Sequence, residues 1–223
     1  MSSRRGTPRT RPGRALSLTV SGVALAVTAG VMACQSQPAD DFGAPAVTAL
    51  ASPAVPAKRV PIQDGAPPRA TTADGPARLR IPALGLDATV DAVGIDKATG
   101  DFAVPPSVDR VGWYRYGPGF SAKAGSIVIA GHVDSAAEGE GAFFRLGRLD
   151  RGDTVTLAGP GGRERAFEVI ARERYRKTAV PLEKYFARDG AARLTLITCG
   201  GPFDPETRHY RDNVVITAAA VRS

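Results

Sequence analysis

The sequence after residue 77 predicts a mostly β fold, either a closed barrel or a sandwich. Short runs of β-branched and apolar residues recur there, turns containing glycine or proline separate them, and little of the segment has helical spacing. Its roughly 145 residues are enough to enclose one hydrophobic core. We therefore divide the chain into an N-terminal segment, 1–34, a linker, 35–77, and one folded domain, 78–223.

The folded domain has eight predicted strands and two short predicted helices. The strands are expected at 78–81, 88–93, 102–104, 126–130, 154–157, 165–172, 194–198 and 213–221. The helices are expected at 182–186 and at 141–149, where Phe143, Phe144 and Leu146 would pack inward. The glycine-rich segment 159–162 lies between two strand-like runs and predicts a hairpin turn.

A basic flank followed by an uncharged segment predicts export from the cytoplasm. The first 14 residues contain five arginines and no acid, and no charged residue occurs from Ala15 to Ala33. Such a segment is long enough to cross a bilayer as a helix. The sequence before Cys34 also resembles a lipoprotein cleavage site. A membrane anchor, a lipoprotein modified at Cys34 and a cleaved secretion signal are all open, and each places the domain outside the membrane.

Charge and composition separate the N-terminal parts from the domain. The formal net charge of +7 falls to +2 when the first 14 residues are left out. The positive charge therefore flanks the apolar segment and does not form a surface for phosphates, so we expect no nucleic-acid partner. Residues 35–77 are rich in proline, alanine and small polar residues. This composition predicts a disordered linker that holds the domain off the membrane.

Two strand-like runs end in residues capable of nucleophilic chemistry. Cys199 closes the run 194–198, and His132 closes the run 126–131. A thiol becomes a nucleophile when a nearby imidazolium stabilises its thiolate. Gly200 and Gly201 would let another backbone, such as that of a substrate, approach the sulfur. The alternative is a buried structural cysteine, the usual state of free cysteines.

An arginine near the last strand could complete such a site. Arg211 precedes the final run, which is expected to lie antiparallel beside the Cys199 strand and to bring a cationic donor near the thiol. Arg208 competes for this role, but it belongs to the polar loop 200–208. We interpret His209 as a surface or packing residue. Thr198, beside the cysteine, is a candidate substrate contact.

Other chemistries do not fit the residue order. The two cysteines and two histidines have no paired spacing typical of a metal site. No glycine-rich dinucleotide fingerprint follows a strand and opens a helix. A papain-like protease has its cysteine before its histidine, the reverse of the order found here. We expect neither a metal nor a nucleotide cofactor.

The order His132, Cys199, Arg211 resembles the sortase family. The resemblance is carried by Thr195-Leu196-Ile197-Thr198-Cys199, by Ala130-Gly131-His132 upstream, and by the arginine at the head of the last strand. It covers about residues 78–221, and the segments 131–135 and 210–215 are most similar to the class F, actinobacterial, branch. The resemblance implies a single closed eight-stranded β-barrel with short helices.

The resemblance also implies a transpeptidase. Cys199 would attack the Thr–Gly carbonyl of an LPXTG-type sorting signal and form a thioester, and an amine of a cell-wall precursor would release the product. His132 would carry protons, and Arg211 would hold the substrate backbone and the oxyanion. Surface proteins that bear the signal would be the partners.

Two other functions are open. A cysteine protease would release the same acyl-enzyme to water, and a surface-anchored barrel could bind peptide without chemistry. Trp113, Tyr114 and Tyr116 could line a peptide groove, although aromatic residues of this kind more often belong to a core or close a barrel.

Overall fold

The strands of this protein form a closed barrel in a computed structural model that describes residues 40–52, 72–96 and 102–221. In chain order the described strands are β1 Arg78–Ile81, β2 Leu86–Val93, β3 Val111–Tyr114, β4 Ser126–Gly131, β5 Asp134–Ser135, β6 Gly139–Glu140, β7 Thr154–Ala158, β8 Glu164–Arg176, β9 Arg193–Asp204 and β10 His209–Ala220. The helices are α1 Ala44–Ala51 and α2 Leu182–Tyr185. Short 3₁₀ turns lie at Thr72–Asp74, Pro82–Leu84, Leu146–Arg148, Pro160–Gly162 and Lys177–Ala179.

Eight of these strands close the barrel in the order β1-β2-β3-β4-β9-β10-β8-β7, and β5 and β6 form a separate small hairpin. Neighbouring barrel strands are antiparallel except for two parallel pairs, β2 with β3 and β4 with β9. The prediction of a closed eight-stranded barrel with few helices is therefore confirmed. The turn Pro160–Gly162 joins the antiparallel strands β7 and β8, as the glycine-rich segment predicted.

One predicted strand is wrong, and another segment takes its place in the barrel. The segment 102–104 forms only an isolated bridge, between Ile95 and Phe102. The eighth barrel strand is β3, which lies between β2 and β4. Gly112 in this strand is required by close packing, since a Cβ atom there would lie 2.7 Å from Cγ2 of Val93.

The predicted helix at 141–149 is also wrong, apart from the 3₁₀ turn Leu146–Arg148. Its first backbone N–H groups bond to other segments, Ala142 to the carbonyl of Val108 and Phe143 to that of His132. A Cβ atom on Gly141 would lie 2.4 Å from the His132 carbonyl oxygen. This segment therefore lies tightly against the end of β4. The helix predicted at 182–186 is present as α2.

Side chains alternate between two apolar clusters along the central strands. Leu194, Leu196, Val214, Ile216 and Ala218 belong to the core inside the barrel, which also contains Trp113, Phe143 and Phe167. The outer cluster consists of Val47, Ala171, Tyr185 and Val215, with Ile170, Tyr175, Val180, Phe186 and Ile197 packed against it. Since successive side chains of a strand point to opposite faces, the odd-numbered residues next to Ile197 in β9 also point to the outer face.

A segment assigned to the linker packs on the barrel. Phe42 forms a β-bridge with Arg172, and Val47 of α1 is fully buried in the outer cluster. The prediction of a disordered linker is therefore wrong for 40–52, because Phe42 and Val47 supply the apolar surface that composition alone did not reveal. Residues 53–71 and the predicted anchor, 1–34, lie outside the described residues. None of the helices in the described ranges is long and apolar enough to span a membrane.

Candidate active site

The parallel pairing of β4 with β9 brings the predicted histidine and cysteine to the same level. Ala130 of β4 pairs with Ile197 of β9, and His132 and Cys199 each follow two residues later. Ile197 lies in the outer cluster, so the alternation of side chains directs Cys199 to the outer face, and His132 follows Ala130 in the same way. Cys199 is a half-buried free thiol.

Three hydrogen bonds fix the position of His132. The Thr198 hydroxyl donates to the Gly131 carbonyl at 2.8 Å, and the Phe143 N–H donates to the His132 carbonyl at 3.0 Å. The ring atom Nε2 lies 2.9 Å from the carbonyl oxygen of Pro105. Backbone and imidazole are thus both held at the end of the strand.

The position of Thr198 corrects the prediction made for its side chain. This side chain was expected to contact substrate, but it is 4% exposed and lies on the barrel-facing side of β9. Its hydroxyl links β9 to β4 one residue before Cys199. The side chain therefore supports the pairing of the two strands and is turned away from the outer face.

The glycines after Cys199 are required by contacts within the chain. A Cβ atom on Gly200 would lie 2.8 Å from Cγ2 of Val214, and one on Gly201, where φ is +72°, would lie 2.2 Å from Oδ2 of Asp212. We expected these glycines to admit a substrate backbone to the sulfur. In the structure it is β10 that approaches them.

Arg211 lies at the head of β10, beside the cysteine strand as predicted. β10 runs antiparallel to β9, with Asn213 opposite Cys199 and an irregularity in register between Tyr210 and Asp212. The Arg211 side chain is 51% exposed and donates from Nη2 to Oδ2 of Asp204 at 3.3 Å. The backbone N–H groups of Thr207 and Glu206, and then Arg211, hold the pKa of Asp204 below its usual range.

Arg208 and His209, which precede Arg211 in the chain, are both exposed. Arg208 lies at the turn between β9 and β10 with φ of +58°, a left-handed conformation uncommon outside glycine. His209 begins β10 and is exposed, which agrees with its interpretation as a surface residue. No group of three or more histidine, cysteine or acidic side chains in the described ranges is placed to hold a metal ion.

Comparison with known proteins assigns this architecture to a family. A model of the sortase domain matches residues 79–221. The chain belongs to the sortase family. A search of curated proteins gave no match.

Solved sortase structures share the barrel at low sequence identity. The chain aligns with sortase C1 from Streptococcus suis at 15% identity and a TM-score of 0.52, covering 68% of this chain and 75% of that one. It aligns with sortase C-1 from Actinomyces oris at 20% identity and a TM-score of 0.51, covering 66% of this chain and 73% of that one. It also aligns with a lid mutant of sortase A from Corynebacterium diphtheriae at 21% identity and a TM-score of 0.51, covering 66% of this chain and 70% of that one. At these identities the likeness shows the fold alone.

An acid and a phenol that the sequence reasoning did not assign meet beside this sortase's cysteine. The Tyr210 hydroxyl donates to Oδ2 of Asp134 at 2.5 Å, which ties the segment after His132 to the head of β10. The ring of Phe203 lies edge-on to Tyr210, with ring centroids 5.2 Å apart. The hydrogen bond to Asp134, burial, and the negative charges of Asp134 and Cys199 raise the pKa of Tyr210 to about 12.

Replacing Asp134 with asparagine is expected to lower the pKa of Tyr210 toward about 10, the ordinary tyrosine value. Because the raised pKa means that the folded state binds this proton more tightly, the resulting stabilisation is present below pH ~10. It is lost as the pH rises through about 12. Tyrosinate absorbance measured against pH, with Tyr210→Phe subtracted, isolates this phenol among the five tyrosines. An unchanged titration in Asp134→Asn would contradict the assignment.

The aromatic residues considered for a peptide groove lie on two different faces of β3, and the register places Tyr114 toward the end of β4 that is opposite His132. Trp113 is 2% exposed and belongs to the core, where its Nε1–H donates to the Pro118 carbonyl. Tyr114, the next residue of β3, points to the opposite face and contacts Phe102 and Phe186 edge-on, at 5.6 and 5.3 Å between centroids. Trp113 therefore belongs to the core, as the alternative interpretation expected, whereas Tyr114 lies on the outer side of β3.

Proposed function

We propose that this sortase is a cysteine transpeptidase that cleaves an LPXTG-type sorting signal and joins the protein to an amine of a cell-wall precursor. The observation that carries the proposal is the parallel register of β4 and β9, which directs His132 and Cys199 to one face of the barrel. We also assign the chain to the class F branch, which the residues at 131–135 and 210–215 most resemble.

Acylation begins with attack of the Cys199 sulfur on the carbonyl carbon between threonine and glycine of the signal. The new C–S bond forms as the carbonyl π electrons move to oxygen, and the resulting oxyanion needs a donor. His132, as imidazolium, gives its proton to the leaving glycine nitrogen when the C–N bond breaks. The product is a thioester between Cys199 and the threonine.

Transfer reverses these proton movements. The amine of the wall precursor attacks the thioester carbon, and neutral His132 takes the proton released by that nitrogen. Expulsion of the Cys199 thiolate leaves a new amide bond. An amine and a water molecule use the same intermediate, so a cysteine protease differs from a transpeptidase only in the acceptor.

We assign to Arg211 the binding of the substrate backbone and the stabilisation of the oxyanion. Its guanidinium is half exposed, and it forms one ion pair at the protein surface, with Asp204, whose side chain is 20% exposed. Exposed pairs contribute little, about 0–1 kcal/mol, so a substrate carbonyl can displace this contact at low cost.

Replacing Arg211 with lysine is expected to lower kcat/KM by about 10²–10³-fold, because an ammonium lacks the planar donor fork. Steady-state ligation of an LPXTG-type peptide measures this effect. Arg208→Lys is the matched control, and we expect it to retain activity. If Arg208→Lys loses activity and Arg211→Lys retains it, Arg208 and not Arg211 is the arginine that stabilises the oxyanion.

The proposed location is the outer surface of the cell membrane. The basic flank and uncharged stretch of 1–34 support an anchor, a lipid-modified Cys34 or a secreted form. The proposed partners are surface proteins that carry the sorting signal, together with the wall amine.

Intact-mass spectrometry tests the function. The full-length chain, purified with detergent, is incubated with an LPETG-type peptide, with and without a glycine-type or diaminopimelate-type amine. A mass adduct on Cys199 with amine-dependent ligation supports the transpeptidase. An adduct that gives only hydrolysis supports the protease, and a folded sample with no adduct for any sorting motif tested supports a non-catalytic peptide-binding barrel.

A further inference from the structure

We propose that the main-chain carbonyl of Pro105 positions His132 by fixing its ring tautomer, so that Nδ1 is the nitrogen left free for proton transfer. The inference deepens the proposed function and rests on it for the catalytic consequence. It assigns a role to the proline pair Pro105-Pro106, which the sequence interpretation left without one.

The chemistry of the contact determines where the ring proton lies. A carbonyl oxygen can only accept a hydrogen bond, and Nε2 of His132 lies 2.9 Å from the Pro105 oxygen. Nε2 therefore carries a proton in both the neutral and the cationic ring. In the neutral ring, Nδ1 holds the free lone pair. Within the described ranges the ring has no second hydrogen-bond partner, so Nδ1 is available to the reaction.

The proline pair makes this carbonyl a rigid acceptor. The pyrrolidine ring of Pro105 fixes its own φ angle, and Pro106 restricts the ψ angle of Pro105 to extended values. Pro105 is buried, whereas Pro106 is exposed. Because both torsions next to the carbonyl are restricted, its direction does not depend on a flexible loop.

The loop that carries the prolines is anchored to neighbouring segments. Arg110 forms a two-pronged ion pair with Asp91 of β2, with Nε 2.6 Å from Oδ2. The Val108 carbonyl accepts from the Ala142 N–H at 2.7 Å. Pro105 also lies against β3, since a Cβ atom on Gly112 would be 3.0 Å from its Cδ. The acceptor is thus tied to β2, to β3 and to the segment that packs against the end of β4.

The consequence for the reaction is that one nitrogen performs both proton transfers. In acylation, the proton on Nδ1 of the cationic ring passes to the leaving nitrogen, and the other proton stays on Nε2, hydrogen-bonded to the Pro105 carbonyl. In transfer, the lone pair of Nδ1 receives the proton of the incoming amine. The ring does not have to rotate between the two steps, because Nε2–H keeps its acceptor throughout.

NMR of ¹⁵N-histidine-labelled protein tests the tautomer directly. The chain has only two histidines, so the exposed His209 serves as an internal reference, and His209→Gln assigns the signals. Above the pH at which the ring loses its charge, we expect His132 in the Nε2–H form and His209 in a mixture of both forms. A His132 ring that is protonated at Nδ1, or that has the same mixture as His209, would overturn the proposal. This readout does not require activity, so it distinguishes failure of the inference from failure of the proposed function.

The proline restraint is tested by Pro106→Gly, which frees the ψ angle of Pro105 at an exposed position. We expect the Nδ1–H form of His132 to become populated and acylation to slow by about 10–100-fold, with little change in KM. Pro82→Gly, at the exposed start of the turn between β1 and β2, is the matched control and should change neither quantity. Wild-type tautomer populations and acylation rate in Pro106→Gly would show that the restraint has no role. Pro106→Ala provides the same comparison with a smaller loss of backbone restriction.

Discussion

Replacing Cys199 with alanine is expected to abolish the thioester adduct and all peptide ligation. The sulfur is the atom that forms the covalent bond, and no neighbouring side chain can replace a thiolate at that position. The substitution should leave the fold intact, because Cys199 is half buried on the outer face and makes no disulfide. The measurement is intact-mass spectrometry with an LPETG-type peptide, supported by a thermal melt that matches the wild type.

The second cysteine of the chain provides a matched control. Cys34→Ala should retain the adduct and the ligation activity, since Cys34 belongs to the predicted anchor segment. An adduct that persists in Cys199→Ala and disappears in Cys34→Ala would overturn the proposed site.

Replacement of His132 should slow acylation strongly, although less completely than replacement of Cys199. His132→Ala is expected to lower the acylation rate by about 10²–10⁴-fold, the usual contribution of a positioned acid–base group, whereas His209→Ala should have little effect. Equal losses in the two variants would indicate a general effect on folding.

Most barrel strands could be predicted because their apolar runs are long enough to be recognised. The run 194–198 and the final run contain most of the buried residues of β9 and β10, whose other residues are half-buried or exposed. Strand β3 could not be predicted in this way, because its four residues include a glycine and two aromatics. Its place in the sheet is determined by the strands on either side.

The candidate site was predictable where it depends on strand ends. The sequence indicated that two runs end in His132 and Cys199, and the parallel register of β4 and β9 brings those positions together, although β9 continues past Cys199 to Asp204. The contact between Asp134 and Tyr210 joins residues 76 positions apart and depends on the path of the chain after β4. No local pattern indicates such a contact, and the same is true of Pro105 beside His132.

The packed segment 40–52 lies outside the sortase-domain match, yet its carbonyls bind two buried arginines. Arg172, 3% exposed, donates from Nη2 to the Asp40 carbonyl at 2.7 Å and lies over the Phe42 ring. Arg193 of β9 is fully buried, and its Nη1 donates to carbonyls that include those of Leu50 and Ala191. Burial lowers the pKa of Arg193. Acceptors for these cations matter because a buried charge left without partners is costly.

Deletion of 1–52 is therefore expected to destabilise the barrel far more than deletion of 1–39. The longer deletion removes the Asp40 and Leu50 carbonyls from two buried guanidinium groups and exposes the outer cluster beneath Val47. A loss of about 3 kcal/mol is expected for disrupted buried charges, which lowers Tm by roughly 6–12 °C in a domain of this size. Thermal unfolding of both truncated proteins measures the difference, and equal Tm values would contradict it.

Point variants on α1 test the same contact without shortening the chain. Val47 is fully buried and Thr48, the next residue, is exposed. Val47→Asp is expected to reproduce most of the loss, because it places a carboxylate in the outer cluster, whereas Thr48→Asp should leave Tm nearly unchanged. Since Ile197 packs against the same cluster two residues before Cys199, Val47→Asp should also slow acylation at temperatures where the barrel remains folded. A normal acylation rate in a destabilised Val47→Asp protein would confine the role of the segment to stability.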